Sequence, residues 1–304
     1  MTNSDASHWS KSRETGSQWQ FRLMMWLALY APAALMEPLL WSIALVYVLH
    51  AQRSTTQASA IYLSRVLGSR PDLWDLHRHA RMFAHVFVDR VRLLSGGLKR
   101  FRIDLCGEDL IERQSASGRG GVFVGAHFGS FEALRALDRT LPDLHVRYLM
   151  FPEHATMSTR LLNQLNPSVA ERVISLQNGQ LAMLQVFEAL NQGEFVAFLG
   201  DRLVDPSNRS QIQVPFLGGM IKVPASPYVA AIAARVPVFF CAAPRLGEDH
   251  YAIQFSILYD GSPIERAERG DRIVAMAESY AAKLEVMCRR YPYNWFNFFN
   301  IWSE

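Results

Sequence analysis

The chain has 304 residues, which suffice for one large domain or two small ones with a substantial buried core. Its hydrophobic fraction of 50% and aromatic fraction of 12% are high for a soluble enzyme and typical of a membrane-associated one. The net charge of +3 is too small to indicate nucleic-acid binding, yet it is compatible with anionic lipid headgroups or an acidic carrier protein. Cys106, Cys241 and Cys288 are scattered, which argues against a disulfide framework or a structural zinc site.

The N-terminal part of the chain divides into a polar lead and an apolar segment. Residues 1–18 are rich in Ser and Thr, which predicts a disordered lead. Residues 23–50 are apolar apart from Glu37, and about 20 apolar residues are enough to span a bilayer. Because Pro32 and Pro38 interrupt this segment, a kinked span or a re-entrant hairpin in the membrane interface is an alternative.

The next segment reads as two helices separated at Pro71. The second helix carries many basic side chains: His77, Arg78, His79, Arg81, His85, Arg90 and Arg92. One interpretation is a helix with a solvated basic face, and the other is a surface that contacts lipid headgroups or a carrier protein.

Beyond Gly96-Gly97, strand and helix patterns alternate, which predicts an α/β layer fold with parallel strand pairs. We therefore predict a membrane anchor segment at residues 19–52 and one catalytic domain at residues 53–304. Strands are predicted at residues 101–106, 121–126, 145–151, 172–176, 195–199, 211–216, 237–244 and 251–258, and helices at residues 131–137, 156–165, 180–190, 226–234 and 269–290, with a hairpin turn at residues 247–249.

His127 lies between a predicted strand and a predicted helix, where α/β enzymes keep catalytic residues at the carboxyl edge of the sheet. Glu132 follows five residues later. On one helix, two such residues would lie about 140° apart around the axis and could not meet. With His127 in the turn before the helix, the carboxylate can reach the imidazole, fix its tautomer and stabilise its protonated form. The pair therefore predicts a general base aimed at a hydroxyl group.

The pattern His127-x4-Glu132 after a Gly-rich strand end resembles the H-x4-D/E motif of membrane-associated acyltransferases. It is similar in particular to the late (secondary) acyltransferases of lipid A biosynthesis, of the lauroyl/myristoyl type, from the apolar segment to the Tyr-Pro-Tyr-Asn-Trp sequence near the end. The resemblance implies a glycerolphosphate-acyltransferase-like mixed sheet flanked by helices, with an N-terminal membrane-associated helix. It also implies that the His/Glu pair deprotonates an acceptor hydroxyl, which attacks the thioester of an acyl-acyl carrier protein.

An acyl transfer also needs hydrogen-bond donors for the oxyanion that forms on the thioester carbonyl. The backbone N–H groups of Gly129 and Ser130, at the predicted helix start, are candidates for part of this role. An arginine could supply the rest, or could hold a phosphate of the acceptor or of the carrier's pantetheine arm. The candidate arginines are Arg160, Arg172 and Arg202.

Two of the candidate substrate-binding residues fall where the resembled family carries an arginine and a strand-terminal aspartate. These are Arg172 and Asp201, and the resemblance implies that they position the donor or the acceptor. Family members often carry Asp-Gln where this chain has Asp201-Arg202, so the acceptor stays open. The sequence Val-Pro-Phe-Leu-Gly-Gly at residues 214–219 is similar to the family's V-P-F-x-G element and is predicted to shape the acyl pocket.

Several enzyme classes lack their sequence signatures in this chain. It has no G-x-S-x-G nucleophile elbow, H-E-x-x-H, P-loop or G-x-G-x-x-G motif, so hydrolases of the α/β type, metalloproteases, NTPases and dinucleotide enzymes are unsupported. We predict that the protein holds no metal and no cofactor of its own, with acyl-acyl carrier protein or acyl-CoA as donor substrate.

The prediction for the whole chain is an O-acyltransferase that acts on a lipid or glycolipid acceptor similar to lipid A. Its predicted partners are acyl carrier protein, the acceptor and the bacterial inner membrane, with the catalytic domain in the cytoplasm and no role for nucleic acid. A second hypothesis is a membrane-anchored lipid-binding or assembly subunit with a catalytically degenerate fold. The intact His127 and Glu132 argue against that hypothesis.

Overall fold

The computed structural model of the chain describes residues 18–50, 53–137, 141, 144–150, 171–176, 179–203 and 210–302. The strands are β1 (Arg102–Cys106), β2 (Gly121–Gly125), β3 (Val146–Met150), β4 (Val173–Ser175), β5 (Phe195–Leu199), β6 (Gln211–Phe216), β7 (Gly219–Pro224), β8 (Val238–Ala242), β9 (Arg245–Gly247) and β10 (His250–Tyr259). The α-helices are α1 (Gln18–Tyr30), α2 (Ala33–His50), α3 (Arg53–Leu67), α4 (Leu73–Leu94), α5 (Glu108–Ala116), α6 (Gln180–Asn191), α7 (Ser226–Ala234) and α8 (Arg269–Arg290).

An eight-stranded sheet in the order β1-β10-β8-β2-β5-β3-β4, with β9 paired to β10, forms the centre of the protein. The neighbouring pairs β8–β2, β2–β5, β5–β3 and β3–β4 are parallel, and β10 pairs with β8 in antiparallel orientation. A separate antiparallel hairpin consists of β6 and β7. The predicted α/β fold with a mainly parallel sheet is confirmed.

Helices cover both faces of the sheet, which explains why its central strands are apolar without alternation. Successive side chains of a strand point to opposite faces. Val122 and Val124 pack in a cluster with residues of α6, α7 and α8, whereas Phe123 packs in a second cluster with Leu93 of α4 and Ile111 of α5. Every residue of β2 is therefore buried.

Most predicted elements lie where the sequence patterns put them, and β5, β6, α7 and α8 have the predicted bounds. The segment after His127 differs, because Phe131–Ala136 is a 3₁₀ helix where an α-helix was predicted. The sequence patterns also missed α5, a polar helix in which only Ile111 is buried. The predicted helix at residues 156–165 lies outside the described residues.

The apolar N-terminal segment is divided into α1 and α2 at Pro32, one of the two prolines that were predicted to interrupt it. The other, Pro38, lies inside α2. No single helix among the described residues is long and apolar enough to cross a membrane. One pair, Ala34–His50 and Ser54–Leu67, meets that requirement only when both helices are joined, and the two are bent by 105°.

α4 joins the N-terminal helices to the sheet through buried polar side chains. On one side, the Nε of Arg92 donates to the Ala28 carbonyl of α1 over 2.8 Å. On the other side, Asp89 accepts from the Nε of Arg245 and from the hydroxyl of Tyr251, each over 2.8 Å. The interpretation of α4 as a helix with a solvated basic face is wrong for Arg92, because this basic residue is buried.

Replacement of Asp89 by Ala should destabilise the fold strongly, because the guanidinium of Arg245 would stay buried without its carboxylate. We expect the free energy of unfolding to fall by about 3–5 kcal/mol, measured by urea denaturation. Glu278→Ala on the exposed face of α8 is the control, and it should change stability by no more than about 0.5 kcal/mol. Equal effects of the two substitutions would contradict a structural role for the buried carboxylate.

Candidate active site

His127 and Asp201 meet because two neighbouring parallel strands end side by side. β2 and β5 pair in register from Gly121 with Phe195 to Gly125 with Leu199. Each of the two polar residues lies two positions beyond its strand, at the carboxyl edge of the sheet, where α/β proteins place ligand sites. One oxygen of Asp201 lies 2.9 Å from Nδ1 of His127, and the other accepts the backbone N–H of His127 over 3.0 Å.

The C-terminal segment, residues 291–302, provides a further contact to Asp201. Trp295 is buried and donates its indole N–H to Asp201 over 3.0 Å. Its own carbonyl accepts a hydrogen bond of 2.8 Å from Nε2 of the buried His79 on α4. The Trp295 ring packs edge-on against Tyr62 and Phe216. The buried carboxylate of Asp201 thus has three N–H donors, which offset the cost of removing it from water.

The same segment runs beside the backbone of His127. The N–H of Phe296 donates to the His127 carbonyl over 2.8 Å, and Phe128 forms an antiparallel bridge with Trp295. These bonds fix the backbone on which the imidazole is mounted.

The N–H groups predicted to bind an oxyanion are already used within the protein. Gly129 donates to the Asn294 carbonyl over 2.8 Å, and Ser130 donates to the Ala243 carbonyl over 3.0 Å. The segment that follows is a 3₁₀ helix and not an α-helix. The prediction that Gly129 and Ser130 offer free backbone donors is therefore wrong for this structure.

Glu132 lies elsewhere than the sequence spacing predicted. Its carboxylate is 2.5 Å from the Nε of Arg90 on α4, and the hydroxyl of Ser130 lies 3.4 Å from its second oxygen. Asp201, which comes from the neighbouring strand, occupies the position on the Nδ1 of His127 that was predicted for Glu132. The predicted contact of Glu132 with the ring is thus wrong for this structure, in which the contact is made by Asp201.

The electrostatic setting leaves the imidazole of His127 able to accept a proton. Burial lowers the pKa of His127, the guanidiniums of Arg202 and Arg90 lower it further, and only Asp201 opposes them. Burial alone would raise the pKa of the Asp201 carboxyl, but His127 and Arg202 hold it well below its ordinary value. With Nδ1–H assigned as donor to Asp201, Nε2 carries the free lone pair of a side chain that is 33% exposed.

The three candidate arginines differ in their placement. Arg202 follows Asp201, donates from Nη2 to the Phe296 carbonyl over 2.5 Å, and has its guanidinium 5.0 Å from the Phe299 ring centre. Arg172 precedes β4, at the amino edge of a strand that β5 and β3 separate from β2, so the structure does not bring it to His127. Arg160 lies outside the described residues.

The Val-Pro-Phe-Leu-Gly-Gly element contacts the site through Trp295. It forms the end of β6 and a tight turn to β7, in which Leu217 and Gly218 both have positive φ angles. Phe216 packs against the indole of Trp295, with ring centres 5.2 Å apart. Its predicted role in an acyl pocket stays a prediction.

Sequence reasoning missed the contributions of Trp295 and Arg90. Trp295 belongs to the Tyr-Pro-Tyr-Asn-Trp sequence, which contributed to the family resemblance. Nothing in that sequence indicated a contact with Asp201, which lies 94 positions earlier in the chain. Arg90 was assigned to a basic helix face, and only the packing of α4 on the sheet shows that it reaches Glu132.

The arrangement is a histidine in contact with a buried carboxylate at the edge of a parallel sheet. Over residues 8–304, the chain matches the family described as bacterial lipid A biosynthesis acyltransferase. The protein belongs to this family. The resemblance seen in the sequence is thereby confirmed, and the protein is an acyltransferase of the lipid A biosynthesis family. No curated protein sequence gives a significant match to the chain.

Replacement of Gly129 by Ala should disrupt the site at the backbone level. Gly129 has a φ of 62°, and a Cβ there would lie 1.8 Å from the Ala243 carbonyl oxygen. We expect a loss of about 2 kcal/mol or more in the free energy of unfolding, measured by chemical denaturation. Gly270→Ala, whose Cβ would meet open space, is the control and should change stability by no more than about 1 kcal/mol.

Proposed function

We propose that this acyltransferase moves an acyl chain from a thioester donor to a hydroxyl group of a lipid A-like acceptor, with Nε2 of His127 as general base. The single observation that supports this most directly is the hydrogen bond between Asp201 and Nδ1 of His127 at the carboxyl edge of the sheet. A carboxylate on one ring nitrogen prepares the other nitrogen to accept a proton and stabilises the imidazolium that results.

The proposed reaction proceeds by addition and elimination. Nε2 of His127 takes the proton of the acceptor hydroxyl while the oxygen attacks the thioester carbonyl carbon. The tetrahedral intermediate collapses to the new ester as its carbon–sulfur bond breaks, and His127 returns the proton to the leaving thiolate. Asp201 keeps its negative charge throughout and balances the charge of the ring.

For the donor, we propose an acyl chain carried on acyl carrier protein. The support comes from the family to which the chain belongs and from the basic surplus of the protein, which suits an acidic carrier. Acyl-CoA offers the same thioester without the protein surface, so a comparison of the two donors tests this part of the proposal.

We propose that α1 and α2 hold the enzyme at the inner membrane. These helices expose large apolar side chains that would otherwise face water, and aromatic rings among them suit the membrane interface. The exposed residues are Trp19, Leu23, Trp26, Tyr30, Leu35, Trp41, Ile43, Val46, Tyr47 and Leu49. Interfacial binding would bring the site on the sheet edge within reach of a lipid acceptor.

Full-length protein in detergent should transfer radiolabelled acyl chains from acyl-acyl carrier protein to a lipid A precursor or to a total lipid extract. His127→Ala should reduce the rate by about 10²- to 10⁴-fold, because it removes the general base. Thin-layer separation of the lipids measures the transfer and identifies the labelled acceptor. His250→Ala is the matched control, because this histidine pairs with Asp104 on β1 and its strand is separated from β5 by β8 and β2; it should keep near-wild-type activity.

Two results would contradict the proposal. Equal transfer by wild type and His127→Ala would remove the histidine from the reaction. Lipid binding by folded wild-type protein, with no transfer from any of several acyl donors to any acceptor tested, would support a binding or assembly subunit.

The pH dependence separates the role of Asp201 from that of Glu132. Because the pKa of His127 lies below its ordinary 6.5, the wild-type enzyme should keep its activity to below that pH. Asp201→Asn removes the anion that favours the imidazolium, so it should lower kcat by about 10²- to 10⁴-fold. It should also move the acid limb of kcat/KM down by about one pH unit.

Glu132→Gln provides the comparison, since its carboxylate contacts Arg90 and not the ring of His127. We expect a smaller shift of the acid limb than with Asp201→Asn. A larger shift for Glu132→Gln would show that Glu132 holds the imidazole during catalysis, as the sequence predicted.

A further inference from the structure

Arg202 is linked to His127 through the C-terminal segment as well as through its neighbour Asp201. Asp201 binds the ring and the backbone N–H of His127, and the His127 carbonyl accepts the N–H of Phe296. The carbonyl of Phe296 in turn accepts Nη2 of Arg202, the residue next to Asp201. The guanidinium also lies over the ring of Phe299. Arg202 is therefore attached to the C-terminal segment at two points, directly beside the catalytic pair.

The charged groups that act on His127 come from the end of β5 and from α4. Asp201 and Arg202 follow β5, and Arg90 comes from α4. The charge of Arg90 is offset by Glu132 at 2.5 Å. The Nε of Arg202 is buried and has no hydrogen-bond partner among the residues that the structure describes, where its guanidinium contacts a carbonyl and an aromatic face.

We propose that Arg202 is a positioning residue for His127, which fixes the C-terminal segment against the histidine and keeps the imidazole in its neutral, proton-accepting form. This inference rests on the proposed function of His127 as general base. It assigns Arg202 a role through His127 and not a contact with the substrate.

The effect of Arg202 on the protonation of His127 is electrostatic. An arginine keeps its charge at every pH at which the enzyme works. Salt screens a buried charge far less than an exposed one, so a cation beside the imidazole makes protonation unfavourable. After burial, the charge of Arg202 is the largest cause that lowers the pKa of His127, and Asp201 opposes it through both its charge and its hydrogen bond. Without Arg202, the Asp201 carboxylate would hold His127 in its protonated form at a higher pH.

The first test measures the protonation of His127 without any substrate. Histidine reacts with diethylpyrocarbonate in its neutral form and not as the imidazolium, and mass spectrometry of the peptide that contains His127 follows the modification of this residue as a function of pH. In Arg202→Gln, the midpoint should rise by about one pH unit, because a neighbouring cation is lost. Arg202→Lys keeps the charge but not the planar contact with Phe299, so its midpoint should stay within about 0.3 unit of wild type.

Two further variants guard against loss of folding and against general charge effects. Arg202→Met is a second neutral variant whose side chain fills the apolar space of the arginine stem. Arg113→Gln removes an exposed guanidinium on α5 and should leave the midpoint unchanged. Thermal unfolding of each variant shows which ones are folded and can be compared.

The second test follows kcat/KM with acyl-acyl carrier protein as donor. The acid limb should move to higher pH in Arg202→Gln by the same amount as the midpoint of modification, with the KM for the acceptor unchanged. An acceptor KM that rises while the acid limb stays in place would overturn the inference, because Arg202 would then bind an anionic group of the substrate.

The two tests also separate this inference from the proposed function. If the midpoint shifts but wild-type protein transfers no acyl chain, the proposed function fails while the effect of Arg202 on His127 stands. If transfer depends on His127 but the midpoint is the same in the neutral variants, only the inference about Arg202 fails.

Discussion

The buried carboxylate of Asp201 is the group on which the rest of the site depends. It accepts hydrogen bonds from the ring of His127, from the backbone of His127 and from the indole of Trp295. A charge in the protein interior is tolerated only where such partners replace water. Asp201 therefore joins the end of β5 to the end of β2 and to the C-terminal segment, and removal of any partner would affect the other two.

The helix α4 is joined to the C-terminal segment that carries Trp295, the indole partner of this carboxylate. His79 of α4 holds the backbone of Trp295, and Asp89 holds Arg245, whose backbone N–H donates to the Asn294 side chain. These buried polar bonds give little net stability compared with apolar packing, but each costs much when only one partner is removed. They fix the two segments in one arrangement, and the base role proposed for His127 requires such fixed surroundings, because proton transfer depends on correct geometry.

The sequence patterns located the strands well because apolar runs at the centre of a parallel sheet are long and buried on both faces. The motif of His127 and Glu132 indicated the family, and the family match confirmed it. The orientation of Glu132 was predicted wrongly, because five residues of spacing were interpreted with an α-helix that the structure replaces with 3₁₀ turns. The prediction of free N–H groups at Gly129 and Ser130 was also wrong, because both groups donate hydrogen bonds to carbonyls of segments that are distant in the chain.

What the sequence by itself determined is the set of local features: the apolar strands, the break at Pro32, the histidine at a strand end and the family to which the chain belongs. Each follows from neighbouring residues, whose spacing decides helix or strand. The partner of His127, the contact of Arg90 with Glu132 and the place of Trp295 were decided only by the tertiary structure. These contacts join residues 42 to 94 positions apart. No local pattern encodes which strand neighbours β2 or where the last segment packs, because many chain arrangements bury the same apolar surface and only complete packing selects one.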